Sequence, residues 1–231
     1  LVIIFSIGIP VMMSELLIGR RAQRNPVGAF NSLAPRKPWY MVGMMGIVSA
    51  FMILAFYTAV AGWTLEYIYQ SLIGGFVGKS SAELSSMFES FRSDSLRPAL
   101  WFSVFMLATS AIVWGGVRKG IEMSTKIMMP LLFVILIVMC IKSLTLPGAG
   151  KGLVFLFRPD FSKITGETIL MALGQAFFSL SIGMGTLITY GSYIQKDNNL
   201  ASTSVQVSLI DTLVAVLAGV AIFPAVFAFG I

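Results

Sequence analysis

Residues 174–185 read GQAFFSLSIGMG and lie inside an uncharged run that extends from residue 168 to residue 195. Crossing a bilayer takes about 20 helical residues, so this run is long enough to span a membrane. Ser179 and Ser181 would project to nearly opposite sides of a continuous helix. Gly183 and Gly185 would make a break inexpensive, because glycine in a helix interior costs about 1 kcal/mol and accepts other backbone angles. A break would let both hydroxyls and several freed backbone groups face one cavity.

A second interpretation of the same residues is close helix packing. Ser179 with Gly183, and Ser181 with Gly185, fit the pattern of small residues four apart that lets two membrane helices approach. The stretch alone leaves a ligand-binding break and a packing face both open.

The composition predicts an all-α, polytopic membrane protein. The 231 residues are 57% hydrophobic and 11% charged, whereas soluble domains carry about 25% charged residues. The basic residues behind the net charge of +6 lie in short loops between apolar spans, which argues against a nucleic-acid partner. With no histidine and one cysteine, these residues supply neither a histidine-dependent catalytic site nor an intrachain disulfide, and we expect no enzyme activity.

The apolar pattern predicts one transmembrane domain with spans at about residues 1–19, 39–73, 96–117, 121–146, 168–195 and 205–229. The loop at 20–38 carries five basic and no acidic residues, so we expect it in the cytoplasm, and the balanced loop at 74–96 outside. Both ends of the chain lie in apolar runs, so we expect an internal fragment of a larger protein.

Two acidic residues lie inside the predicted spans, where each costs about 2.5 to 3.5 kcal/mol at a helix centre. Glu15 is close to Arg20 and could pair with it near the interface. Asp211 has no basic neighbour in sequence, so its partner would be a bound cation or hydroxyl groups such as that of Ser179. Tyr57 and Gln175 are polar groups at depth, for which bonding between helices is the ordinary explanation.

Five segments in chain order carry a resemblance to a known family. They are IPVMMSELLIGR at 9–20, FY followed by GW within 56–63, KGIE at 119–122, PDF at 159–161, and GQAFFSLSIGMG at 174–185. In this order they resemble the neurotransmitter:sodium symporter family over essentially the whole chain. The resemblance implies a polytopic bundle covering helices 2 to 7 of the inverted-repeat transporter fold, with a discontinuous helix 6. Helices 1 and 8 onward would be missing.

The resemblance also implies roles for individual residues. It places around the substrate Ile53, Tyr57, Phe178, Ser179, Ser181 and Met184, and on sodium Ser179 and Asp211. Gates or supporting networks would include Glu15, Gln175, Tyr193, Gly120 and Pro130, the last two marking a helix 5 motif that unwinds. An ordinary proline kink is the alternative for Pro130.

The implied function is sodium-coupled symport of amino acids or related small amines by alternating access, with sodium and no organic cofactor. Asp211 would supply a fixed negative charge beside sodium, so we expect transport without chloride. Absence of cysteine from the loop at 74–96 and of any N-x-Ser/Thr site favours a bacterial inner-membrane protein. The alternative is a channel or receptor-like helical bundle without coupled transport.

Overall fold

Helices make up the regular structure of this chain. A computed structural model describes residues 1–229, except the side chains of Arg118 and Lys163. The helices are α1 Ile9–Ala22, α2 Pro26–Leu33, α3 Tyr40–Leu72, α4 Ser81–Ser93, α5 Leu96–Trp114, α6 Met123–Leu144, α7 Ala149–Phe157, α8 Gly166–Ser179, α9 Thr186–Gly191 and α10 Leu200–Phe229. Two π-helical segments, Ile4–Gly8 and Val117–Glu122, precede α1 and α6, and Phe161–Lys163 forms a 3₁₀ turn. The predicted all-helical fold is confirmed.

Four helical stretches are long and apolar enough to cross a membrane: Tyr40–Leu72, Leu96–Trp114, Lys119–Leu144 and Leu200–Phe229. Large apolar side chains are exposed along them, as expected of surface covered by lipid or by other membrane helices. The predicted span at 168–195 is divided between α8 and α9, whereas in the predicted span at 1–19 the π-helical segment Ile4–Gly8 continues directly into α1. In a broken span the backbone groups at the break need partners other than the next helical turn.

Three predicted loops contain helices. The loop at 20–38 holds α2, where Pro26 occupies the first turn and the Asn25 side chain accepts from the Gly28 N–H. The loop at 74–96 holds α4, and the loop at 147–167 holds α7. Helix α4 starts with a reciprocal cap between Ser80 and Glu83, a spacing that the sequence displays.

The chain divides into two compact units, Leu1–Ala50 with Leu131–Ile231, and Phe51–Pro130. In the first unit, α1 packs on α9 and α10, and α7 packs on α10. Its core contains Met12, Leu16, Leu180, Ile182 and Leu200. The contact between α1 and α9 is backbone to backbone, since a Cβ on Gly191 would lie 2.5 Å from the Leu16 carbonyl oxygen. This contact fixes the position of α9, the short helix that follows α8.

In the second unit, α5 packs along the carboxyl-terminal part of α3. A Cβ on Gly62 would lie 3.3 Å from the backbone nitrogen of Phe102, so the two helices approach closely there. Thr58 is fully buried, and its hydroxyl donates to the Leu54 carbonyl within α3 at 2.6 Å. Helix α4 meets α3 through aromatic side chains, with Trp63 and Phe88 ring centres 5.3 Å apart.

Candidate functional site

The break within 168–195 lies between α8, which ends at Ser179, and α9, which begins at Thr186. Residues 180–185 form a turn in which Ser181, Gly183 and Gly185 have positive φ angles of 55°, 83° and 72°. A serine in this left-handed region is uncommon. The predicted discontinuous helix is confirmed, and a continuous packing face at these residues is wrong.

Two backbone hydrogen bonds give partners to N–H groups of the turn. The Ser181 N–H donates to the Phe178 carbonyl at 3.2 Å, and the Ile182 N–H to the Phe177 carbonyl at 3.1 Å. Leu180 and Ile182 are buried in the core of this unit. The turn is therefore an ordered element rather than an unstructured gap.

Glu15 on α1 reaches the break directly. Its Oε1 accepts a hydrogen bond from the Gly183 N–H at 2.7 Å, while its Oε2 is buried without a hydrogen-bond partner among residues 1–229. Arg20 instead donates to the Asn198 carbonyl at 2.7 Å, and no Glu15–Arg20 ion pair forms within the described residues. The predicted alternative pairing of these two residues is wrong, because the unwound backbone offers Glu15 a closer donor.

Asp211 and Ser179 form the second polar contact at the break. The Ser179 hydroxyl, on the last residue of α8, donates to Oδ2 of Asp211 on α10 at 2.6 Å. Both side chains line a cavity of about 340 Å³ together with Gln175, which lies one turn before Ser179 on the same face of α8. The remaining walls are mostly apolar, including Ile4 and Leu156.

Carboxylate and hydroxyl oxygens are the ligand types that hard cations prefer. Asp211 on α10 offers a carboxylate oxygen and Ser179 on α8 offers a hydroxyl oxygen. Among the described residues, no group of three or more His, Cys, Asp or Glu side chains could hold a metal. A cation at this pair would therefore need further oxygen ligands from elsewhere, since hard cations take several.

The other predicted substrate residues are distributed over both units. Phe178 is 39% exposed at the end of α8, and Ser181 is half-buried in the turn. Met184 packs against α3, where a Cβ on Gly46 would lie 3.0 Å from the Met184 carbonyl carbon. Ile53 and Tyr57 lie one turn apart on the part of α3 that belongs to the second unit.

Among the predicted site residues, the structure brings Glu15, Gln175, Ser179, Ser181 and Asp211 together around the break.

Three predicted gate residues lie on other elements of the chain. Tyr193 is 63% exposed in the turn that follows α9. Gly120 lies in the π-helical segment Val117–Glu122, where a Cβ would meet the Ile112 carbonyl. Pro130 lies within α6, which continues through it as helix. The irregular backbone in this region is therefore at 117–122 rather than at Pro130.

Comparisons with known proteins agree with this architecture. The model of the family described as the sodium:neurotransmitter symporter family matches residues 1–82 and 76–229. The sodium-dependent transporter YhdH of Bacillus subtilis is 41% identical over 97% of this chain and 50% of its own length. A sodium-dependent transporter of Haemophilus influenzae is 41% identical over 97% of this chain and 51% of its length. The chain spans about half the length of the curated relatives it matches.

A solved structure is also similar to this chain. The crystal structure of MhsT in complex with L-phenylalanine superposes with a TM-score of 0.92 and 49% identity. The match covers 99% of this chain and 52% of that chain.

Proposed function

Because this chain belongs to the sodium:neurotransmitter symporter family, we propose that it forms part of a carrier that couples sodium entry to uptake of amino acids or related small amines. The relatives named in the comparisons are transporters rather than enzymes. Since the chain spans about half of them, the transport cycle requires a longer protein that contains it. We place that carrier in a bacterial inner membrane, with helices 1 and 8 onward supplied by its other half.

The observation that carries the proposal is the contact between Ser179 and Asp211 at the end of a broken helix. The hydroxyl lies 2.6 Å from the carboxylate, so both oxygens are positioned at one point of the cavity wall. A sodium ion there would be held by the Asp211 charge and the Ser179 oxygen. The substrate carboxylate and residues outside this chain would complete its ligand set.

Chloride independence follows from the same carboxylate. A unit charge at about 4 Å contributes about 4 kcal/mol at an effective dielectric constant of 20. A bound chloride at a comparable distance would contribute a similar amount. Asp211 provides this charge covalently, so the carrier needs no anion from solution to balance sodium.

We propose that the substrate lies against the break, between Phe178, Ser181 and Met184, and we keep Ile53 and Tyr57 on α3 as predicted substrate-binding residues. The freed backbone groups near residues 180–185 would bind the polar end of the substrate, as broken helices do in inverted-repeat carriers. The solved relative MhsT holds L-phenylalanine, which supports an amino acid with an apolar side chain.

Coupling follows from shared contacts. A substrate carboxylate that helps to bind sodium raises the affinity for sodium, and sodium raises the affinity for substrate by the same factor. Glu15, by holding the Gly183 N–H, keeps the break in one geometry during binding. Gln175 would support the sodium site, while Tyr193, Gly120 and Pro130 would act at the cytoplasmic side during alternating access.

Uptake of radiolabelled amino acid into proteoliposomes, with the full-length carrier reconstituted, tests the proposal. We expect accumulation that requires an inward sodium gradient and persists when gluconate replaces chloride. A channel would equilibrate the amino acid without accumulating it against its gradient. Uptake that collapses in gluconate would contradict the assignment of Asp211.

A further inference from the structure

A buried polar cluster lies in the second unit, apart from the break. Glu66 on α3 is 4% exposed, and its carboxylate accepts from three side chains in the described part of the chain. The Gln70 amide donates at 2.7 Å and the Arg97 guanidinium at 3.1 Å, both to Oε1, while the Trp101 indole N–H donates to Oε2. A carboxylate has about four acceptor positions, so about one position on Oε2 remains.

This cluster forms one wall of a cavity of about 320 Å³. Other lining residues are aromatic: Tyr67 lies 5.3 Å from Phe76 and 6.2 Å from Phe88 between ring centres, and the buried Phe91 extends the apolar surface. Such a volume is at the lower end of the range of small-molecule pockets. The cavity therefore suits a small molecule with an apolar group.

The polar wall carries a negative charge on Glu66 and a positive charge on Arg97, and these two side chains form an ion pair. The Arg97 side chain is 52% exposed, so N–H groups other than the one bonded to Glu66 can reach a ligand. A ligand with only a positive charge would be repelled by Arg97, and one with only a negative charge by Glu66. The complementary ligand carries one donor group for Oε2 and one acceptor group for Arg97, with no net charge.

We propose that the cavity beside Glu66 binds a small zwitterion that carries a primary ammonium, an oxyanion and an apolar group. The ammonium donates to the carboxylate of Glu66, which lines the cavity, and the oxyanion accepts from Arg97. The apolar group lies between Tyr67, Phe76 and Phe88. A free amino acid with an aromatic side chain and an ethanolamine phospholipid, whose acyl chain supplies the apolar group, share this chemistry.

Equilibrium binding to the purified full-length carrier in choline buffer without sodium separates this cavity from the sodium-coupled site. The probes are L-phenylalanine and a short-chain phosphatidylethanolamine, and the tighter probe identifies the source of the zwitterion. We expect saturable binding of at least one probe. Phenethylamine, which lacks the carboxylate, and phenylpropionate, which lacks the ammonium, should each bind at least tenfold more weakly than L-phenylalanine if the amino acid is the ligand.

Variants on the exposed face of α4 test the location without disturbing Glu66. Ser90 lines the cavity and Ser85 does not, so Ser90→Trp should lower the affinity at least tenfold while Ser85→Trp leaves it within twofold. Glu66→Gln and Arg97→Gln should each lower it at least tenfold. Absence of saturable binding for both probes, or equal binding by the two tryptophan variants, would overturn the proposal. Sodium-driven uptake is measured separately, so either proposal can fail without the other.

Discussion

Replacing Asp211 by asparagine removes the charge at the proposed sodium site while keeping the size of the side chain. In the structure the Ser179 hydroxyl donates to the Asp211 carboxylate at 2.6 Å. A hydrogen bond to a charged group contributes about 1.5 to 3 kcal/mol, and the Coulomb attraction to a cation at about 4 Å is about 4 kcal/mol at an effective dielectric constant of 20. An asparagine oxygen can still coordinate sodium, so we expect only part of this energy to be lost.

We therefore expect Asp211→Asn to weaken sodium binding by about 1.5 to 3 kcal/mol, which is about 10-fold to 150-fold in the dissociation constant. The assay is the sodium concentration that gives half-maximal uptake in proteoliposomes, measured in chloride and in gluconate. Chloride should partly restore the variant, because it can replace the missing charge. Asp197→Asn, in the loop before α10, is the control and should behave like the parent. A change below threefold in sodium dependence, with no response to chloride, would refute the reasoning.

Three further predictions concern the framework of the site. Glu15→Ala should lower the melting temperature of the purified carrier, since it leaves the Gly183 N–H unpaired at a cost of about 1 to 3 kcal/mol, whereas Glu15→Gln, which still accepts, should lower it less. Gly191→Ala should reduce the yield of folded protein in size-exclusion chromatography, because its Cβ would meet backbone at 2.5 Å, while Gly150→Ala, with no atom within 4 Å, should not. A backbone hydrogen bond from Ser80 holds the pKa of Glu83 below its ordinary value. The cap therefore stabilises α4 fully at pH values above the ordinary carboxyl pKa, and this stabilisation is lost as the pH falls through the lowered pKa. Amide exchange of α4, corrected for intrinsic rates, should become faster over that pH range, and this pH dependence should be absent in Glu83→Gln.

The glycines at 183 and 185 made a break inexpensive, because glycine accepts backbone angles that other residues avoid. Both adopt positive φ angles in the structure. The local residues equally allowed a packing face, and the choice depended on the order of motifs along the whole chain. Asp211 was located by its cost in an apolar span, and its contact with Ser179 was among the partners proposed for it.

Other features depend on contacts between residues that are far apart in the sequence. Glu15 is five residues from Arg20, but its partner is the Gly183 N–H, 168 residues away. That donor exists only because the helix is unwound, so no pattern near Glu15 could identify it. The reciprocal cap that starts α4 was visible as Ser80 and Glu83, yet the low hydropathy of the segment led to its prediction as a loop.

Pro130 belongs to the motif from Gly120 to Pro130, for which unwinding was expected, but the helix is not interrupted at the proline. Pro130 removes one backbone donor, but α6 continues through it. The irregular segment instead surrounds Gly120, where the backbone lies against Ile112 and Gly115. Close backbone packing, rather than the missing donor, coincides with the departure from α-helix.

Equilibrium binding of radioactive sodium to the purified full-length carrier tests the central claim most directly. In the described part of the chain, the Ser192 hydroxyl donates within its own turn to the Thr189 carbonyl, so we expect Ser192→Ala to bind sodium as wild type does. Ser179→Ala should bind it at least tenfold more weakly, and a transported amino acid should tighten binding to wild type. Equal sodium binding by the Ser179 and Ser192 variants would contradict a sodium site at the broken helix.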